Sequence, residues 1–150
     1  MTGENPRSLI TRASAWLLVG LWTALVLTAS GEAFSADATR GVVFEFWSWL
    51  GISRAEVGPF VFWTRKGAHF VEYAVLGFLV LRALRLAGVG LPAAGLCALL
   101  WAIAVAFGDE ARQAQLSTRT GSLRDVAIDM AGATTAVALT ARLILARRSA

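Results

Sequence analysis

The chain has 150 residues, of which 57% are hydrophobic and 16% charged, with a mean hydropathy of +0.62, which excludes an ordinary soluble domain and describes one integral membrane unit. Its net charge of +4 comes from fourteen bases against ten acids, and the bases are scattered arginines plus Lys66, which excludes the basic stripe of a nucleic-acid binder. A lone cysteine, Cys97, lies inside an apolar run and excludes an intrachain disulfide framework or a zinc ribbon.

Four segments approach the roughly 20 apolar residues a membrane-spanning helix needs: about 13–29, 70–86, 90–107 and 126–146. The fold class is therefore an all-α membrane protein with four transmembrane helices in a single domain over 1–150, because an open sheet leaves its backbone unsatisfied in lipid. The first segment also fits a secretory signal, with Arg7 and Arg12 ahead of an apolar stretch and small residues following it. Trp16 and Trp22 suit a retained helix packed among others, and that is the reading adopted.

Between the first two segments, Val42, Val43, Phe44, Phe46, Trp47 and Trp49 crowd together in the way aromatic and apolar residues do at a headgroup boundary. An amphipathic interfacial helix over about 40–50 is expected there. Further on, Gly88 and Gly90 break one helix and Pro92 starts the next, so segments two and three form an antiparallel hairpin.

With four crossings, the N-terminus, the Arg82/Arg85 turn and the C-terminus share one side. Bases are equal in number on the two sides, but those on the first side are packed into short tails and a short turn, which places both termini in the cytoplasm. The polar helix ends then face outward from the cytoplasmic membrane.

Those ends carry the chemistry. Lys66, His69 and Tyr73 stand at i, i+3 and i+7, with Glu72 adjacent, and share one stripe of a helix beginning near Arg65. Asp109 and Gln113 are i and i+4 at the outer end of the third helix, beside Glu110; a carboxylate there opposes the helix dipole and calls for a cation from Arg112, Arg119 or Lys66. Ser122 and Asp125 form a capping-box variant at the start of the fourth helix. Asp129, one turn deeper and followed by Gly132, has no local explanation; it is either protonated or paired with a cation such as Arg119 or Lys66. His69 is the only histidine, so no metal site and no cofactor is expected.

The ordered pattern Lys66-x-x-His69-Phe70-x-x-Tyr73-x-x-Leu76-Gly77, then Asp109-Glu110-x-x-Gln113, then Arg119, Asp125 and Gly132, resembles the VanZ-like family of small bacterial membrane proteins. The resemblance implies a four-helix membrane protein of the cell envelope, in a family whose founding member is associated with resistance to the glycopeptide-class antibiotic teicoplanin. The chain departs from the family's pattern in having Arg112 where a histidine or aromatic often follows Asp-Glu, and Ser117-Thr118-Arg119 where Pro-Gly-Arg is common. Losing that second histidine weakens a two-histidine or metal mechanism.

Three functions fit these residues. The first is a pocket that binds a membrane lipid, a lipid-linked cell-wall precursor or an amphiphilic antibiotic through Lys66, His69, Tyr73, Asp109, Gln113, Arg119, Asp125 and Asp129. The second is a membrane-embedded hydrolase or transferase of lipid-linked substrates, with His69, Glu72, Asp109, Glu110 or Asp129 as acid or base. The third is a charged network that fixes helix register, with function in partner binding. A homo-oligomer is compatible with each, and the residues leave open whether the protein is an enzyme.

Overall fold

A computed structural model describes residues 6–29, 45, 49, 51, 53–115 and 122–149. Among these residues the secondary structure is all helical: α1 (Pro6–Ala29), α2 (Arg54–Leu86), α3 (Leu91–Gln113) and α4 (Leu123–Ser149). All four are long and apolar enough to cross a membrane, so the chain is a multi-pass membrane protein. Large side chains left on the outside, among them Leu17, Leu21, Phe78, Leu100 and Leu143, are the lipid-facing surface such a bundle requires. The expected interfacial helix over about 40–50 falls outside the described residues, save Glu45 and Trp49.

The helices are longer than the apolar windows that announce them. The second was expected over 70–86 and to begin near Arg65, whereas α2 spans 33 residues from Arg54. Hydropathy stops counting at charged side chains, but an α-helix satisfies its backbone internally whatever those side chains are, so α2 continues through Lys66 and even past Pro59. At 1.5 Å per residue it is about 50 Å long, against about 30 Å for a hydrocarbon core. α3 likewise runs on to Gln113 rather than ending at 107, and α4 begins at Leu123 rather than 126.

The turn between α2 and α3 is the one the glycines and proline announce. Gly88 has φ +88°, a region L side chains avoid, and its N–H bonds the Arg85 carbonyl while the Val89 N–H bonds that of Leu84. This pair is a Schellman motif. Pro92 opens α3, where its missing N–H costs nothing. Arg12 of α1 donates from Nε to the Leu86 carbonyl at 3.0 Å, a cation on the negative end of α2. The beginning of α1, this turn and the end of α4 therefore lie at one end of the bundle, and the α3–α4 junction lies at the other.

Small residues set the packing. On α3, Ala94, Ala98, Ala102 and Ala106 repeat every fourth residue and are fully buried, a stripe that lets neighbouring backbones approach closely. α2 and α4 run in the same direction and meet most tightly: a Cβ on Gly77 would lie 3.1 Å from the Ala133 carbonyl oxygen, and one on Gly132 would overlap the Phe70 carbonyl. α1 closes the bundle, placing Ala15, Val19 and Val26 in the core. Its Trp22 Nε1–H donates to the Glu72 carbonyl at 2.9 Å.

Candidate functional site

The α3 alanine stripe does not stop at Ala106. Continued by three or four residues at a time it delivers Asp109, Glu110 and Gln113, which are 1%, 8% and 4% exposed, to the same buried face. Polar residues at a predicted helix end are thus inside the bundle. The Gln113 amide donates to Asp109 Oδ2 at 2.6 Å, as their i, i+4 spacing predicts. The alanine repeat is the sequence signal that locates these residues in the interior, and the charge pattern alone does not reveal it.

Glu110 corrects the expected capping box. In such a box the third helical residue, here Asp125, would take the N-cap backbone N–H. Instead the Ser122 N–H donates to Glu110 Oε2, reaching from α3 to the start of α4. That carboxylate sits where the α4 dipole favours negative charge. Ser122 keeps half of its capping role, since its Oγ accepts from the Arg124 N–H at 3.3 Å.

Asp125 is released by this arrangement and forms a partly buried salt bridge with Lys66 of α2. The same ammonium lies 5.3 Å from the centre of the Phe62 ring. Lys66 therefore answers Asp125 and not Asp129, and Arg112, another expected cation for the carboxylates, is exposed. Arg119 falls outside the described residues. A double-mutant cycle on Lys66→Ala and Asp125→Ala, read by thermal melting in detergent, should return a coupling of about 1 kcal/mol, typical of residues in direct contact. Additive effects would show that the pair does not hold α2 to α4.

Asp129 faces His69. Its Oδ1 lies 3.3 Å from His69 Nδ1, yet the two are not aligned as donor and acceptor, and neither atom finds a hydrogen bond in the protein. Two further buried atoms share that condition, the Tyr73 hydroxyl and Glu110 Oε1. Tyr73 is fully buried and Asp129 is 1% exposed. The four atoms come from α2, α3 and α4. The fields of Asp129, Asp109, Glu72 and Glu110 all reach the Tyr73 hydroxyl, so the groups form one cluster. Unpartnered buried polar atoms cost about 1–3 kcal/mol each and number only a few per hundred residues in native proteins.

Depth follows from helix rise. Counted from Leu86, where Arg12 caps α2, Tyr73 lies about 20 Å along the helix and Lys66 about 30 Å. In a hydrocarbon core of about 30 Å the cluster therefore begins at one interface and reaches about a third of the way in. The structure brings together Lys66, His69, Glu72, Tyr73, Asp109, Glu110, Gln113, Asp125 and Asp129 at this end. Two surface grooves of about 590 and 620 Å³ lie elsewhere, the first along α4 past Thr134 and Arg142, the second beside Cys97 and Trp101, and neither is lined by a member of the cluster.

The family model described as VanZ/LLP1 matches residues 15–145, which takes in nearly all of the bundle and every member of the cluster. The chain belongs to the VanZ/LLP1 family. No curated protein and no solved structure matches it. As a VanZ/LLP1 protein it is a multi-pass membrane protein with four helices among its described residues, and the residues that carried the resemblance, apart from Arg119 outside the described residues, are ones the bundle brings together. Among its described residues no group of three or more His, Cys, Asp and Glu side chains stands close enough together to hold a metal ion. What remains is a set of acceptors and amphoteric groups, with Tyr73 and His69 able to donate and Asp129 and Glu110 to accept.

Proposed function

We propose that this VanZ/LLP1 protein is a non-catalytic envelope protein of the bacterial cytoplasmic membrane that holds the polar headgroup of a membrane amphiphile. With both termini in the cytoplasm, the cluster lies at the outer-leaflet end of the bundle. The observation that carries the reading is the set of four buried, unpartnered polar atoms on His69, Tyr73, Glu110 and Asp129. In a membrane the partner of such groups comes from the protein, from an ordered water or from an amphiphile whose headgroup reaches this depth, and a cluster about a third of the way into the core lies within a headgroup's reach. A lipid, a lipid-linked cell-wall precursor and the polar part of an amphiphilic antibiotic share that build, which connects the reading with the founding member's association with glycopeptide resistance. Mass spectrometry of lipids that co-purify with the full chain tests it. A species enriched over the bulk membrane and lost in Asp129→Asn is expected; bulk composition in both proteins would refute headgroup binding.

One observation favours a second reading, an interfacial hydrolase or transferase of lipid-linked substrates. His69 beside the buried Asp129 is an imidazole–carboxylate pair, the orienting half of an acid–base device. On that reading purified protein turns over a lipid-pyrophosphate substrate and His69→Ala abolishes the turnover. Absence of turnover above the His69→Ala background would remove it.

A further inference from the structure

Two of the unpartnered atoms, Asp129 Oδ1 and Glu110 Oε1, are carboxylate oxygens, and an ionised carboxylate can only accept hydrogen bonds. Carboxylates also prevail around them. Beside His69, which faces both Asp129 and Glu72, the charges of Asp109 and Asp125 act on Asp129, those of Asp125, Asp109 and Asp129 act on Glu110, and Glu72 lies within reach of Asp129 and Asp109. The ammonium of Lys66 is committed to Asp125. Arg112 and Arg124 are exposed. Even with Arg65, Arg119 and a charged His69 all counted beside Lys66, four cations would stand against the five acids Glu72, Asp109, Glu110, Asp125 and Asp129, so the excess would stay negative.

An anionic headgroup brought here would meet two buried carboxylate oxygens, with only the Tyr73 hydroxyl and the His69 imidazole able to donate to it, so like charges would face each other in a low-dielectric site. A cationic donor reverses the sign of that interaction. Resting on the headgroup reading above, we infer that the site takes an amphiphile bearing a primary ammonium, whose N–H donors answer Asp129 and Glu110, with the Tyr73 hydroxyl facing the polar stem. An ammonium carries three donors and no acceptor, which suits acceptor oxygens reached from two different helices. Two sources share this chemistry, an aminophospholipid and a lipid-linked amino sugar.

The test uses the full chain reconstituted in vesicles of equimolar phosphatidylethanolamine and phosphatidylglycerol, extracted mildly and weighed by native mass spectrometry. Phosphatidylethanolamine should be retained over phosphatidylglycerol by about tenfold, the scale of one charge-assisted hydrogen bond. N-acetylation of the ethanolamine lipid, which removes the charge and leaves the phosphate, should abolish the preference. So should Glu110→Gln and Asp129→Asn, and if either variant fails to fold the other decides. In a second arm a polyprenyl-phosphate-linked amino sugar replaces the ethanolamine lipid; retention there alone supports the ammonium class and assigns it to a precursor. Retention of phosphatidylglycerol that is lost in Asp129→Asn would overturn the ammonium class while leaving headgroup binding intact. No preference in either arm, with no change in the variants, would overturn both.

Discussion

Asp129→Asn protein is expected to melt at or above the temperature of the parent while losing about tenfold in retention of its amphiphile, the worth of one hydrogen bond to a charged group. The two effects have one cause. Asp129 is 1% exposed and its Oδ1 has no hydrogen bond within the protein; His69, 3.3 Å away, acts in its favour, while burial and the charges of Asp109 and Asp125 act against its carboxylate. Such a group is held at a cost of about 1–3 kcal/mol or more. Asparagine has nearly the same shape and no charge, so the substitution removes the repulsion without opening a cavity. Stability given up at a functional position is a familiar trade against activity, and the proposed headgroup binding would make Asp129 such a position. If the charged network instead served to fix the register of α2, α3 and α4, the same substitution would lower the melting temperature by several degrees and leave lipid retention unchanged in the folded fraction. Thermal melting and lipid mass spectrometry on one preparation separate the two outcomes.

The larger effect on folding is expected at Gly132. A Cβ there would overlap the Phe70 carbonyl, which belongs to the backbone of α2 and cannot rotate away. Gly132→Ala therefore forces α2 and α4 apart at the level of the cluster, next to Asp129 and His69. Overpacking of this kind costs about 1–3 kcal/mol or more. At about 2–4 °C per kcal/mol for a chain of this size, the melting temperature should fall by roughly 5–10 °C. Gly67 provides the control: it lies on the same α2 segment, a Cβ there meets nothing within 4 Å, and Gly67→Ala should be neutral or slightly stabilising. Equal melting temperatures for the two variants would show that the close approach of α2 and α4 does not hold the bundle together. Gly77 stands between them, since its nearest neighbour would be 3.1 Å from an added Cβ.

The location of these effects was legible in the sequence to an uneven degree. Lys66, His69 and Tyr73 at i, i+3 and i+7 foretold a stripe, and Asp109 with Gln113 at i, i+4 foretold a bond that is present. Four apolar segments foretold four helices. Their lengths were understated, because a hydropathy window ends at the first charges while the helix does not. Asp125 was given a capping role that belongs to Glu110, because the rule for a capping box concerns residues three apart and the actual partner lies twelve residues upstream on another helix. Lys66 was a candidate cation for Asp109 or Asp129 and is held by Asp125.

By itself the sequence determined that four segments are apolar enough to cross a membrane and which polar side chains share a helical face, since both follow from composition and a fixed 3.6-residue period. Only the tertiary structure decided which carboxylate meets which donor. Fully buried alanines on α3 and the glycines of α2 and α4 bring the three backbones close enough for the Ser122 amide to reach Glu110 and for Lys66 to reach Asp125. That closeness also leaves Asp129, Glu110, Tyr73 and His69 each with a buried atom unanswered, because pairing across helices depends on their spacing and rotation, which no local pattern specifies.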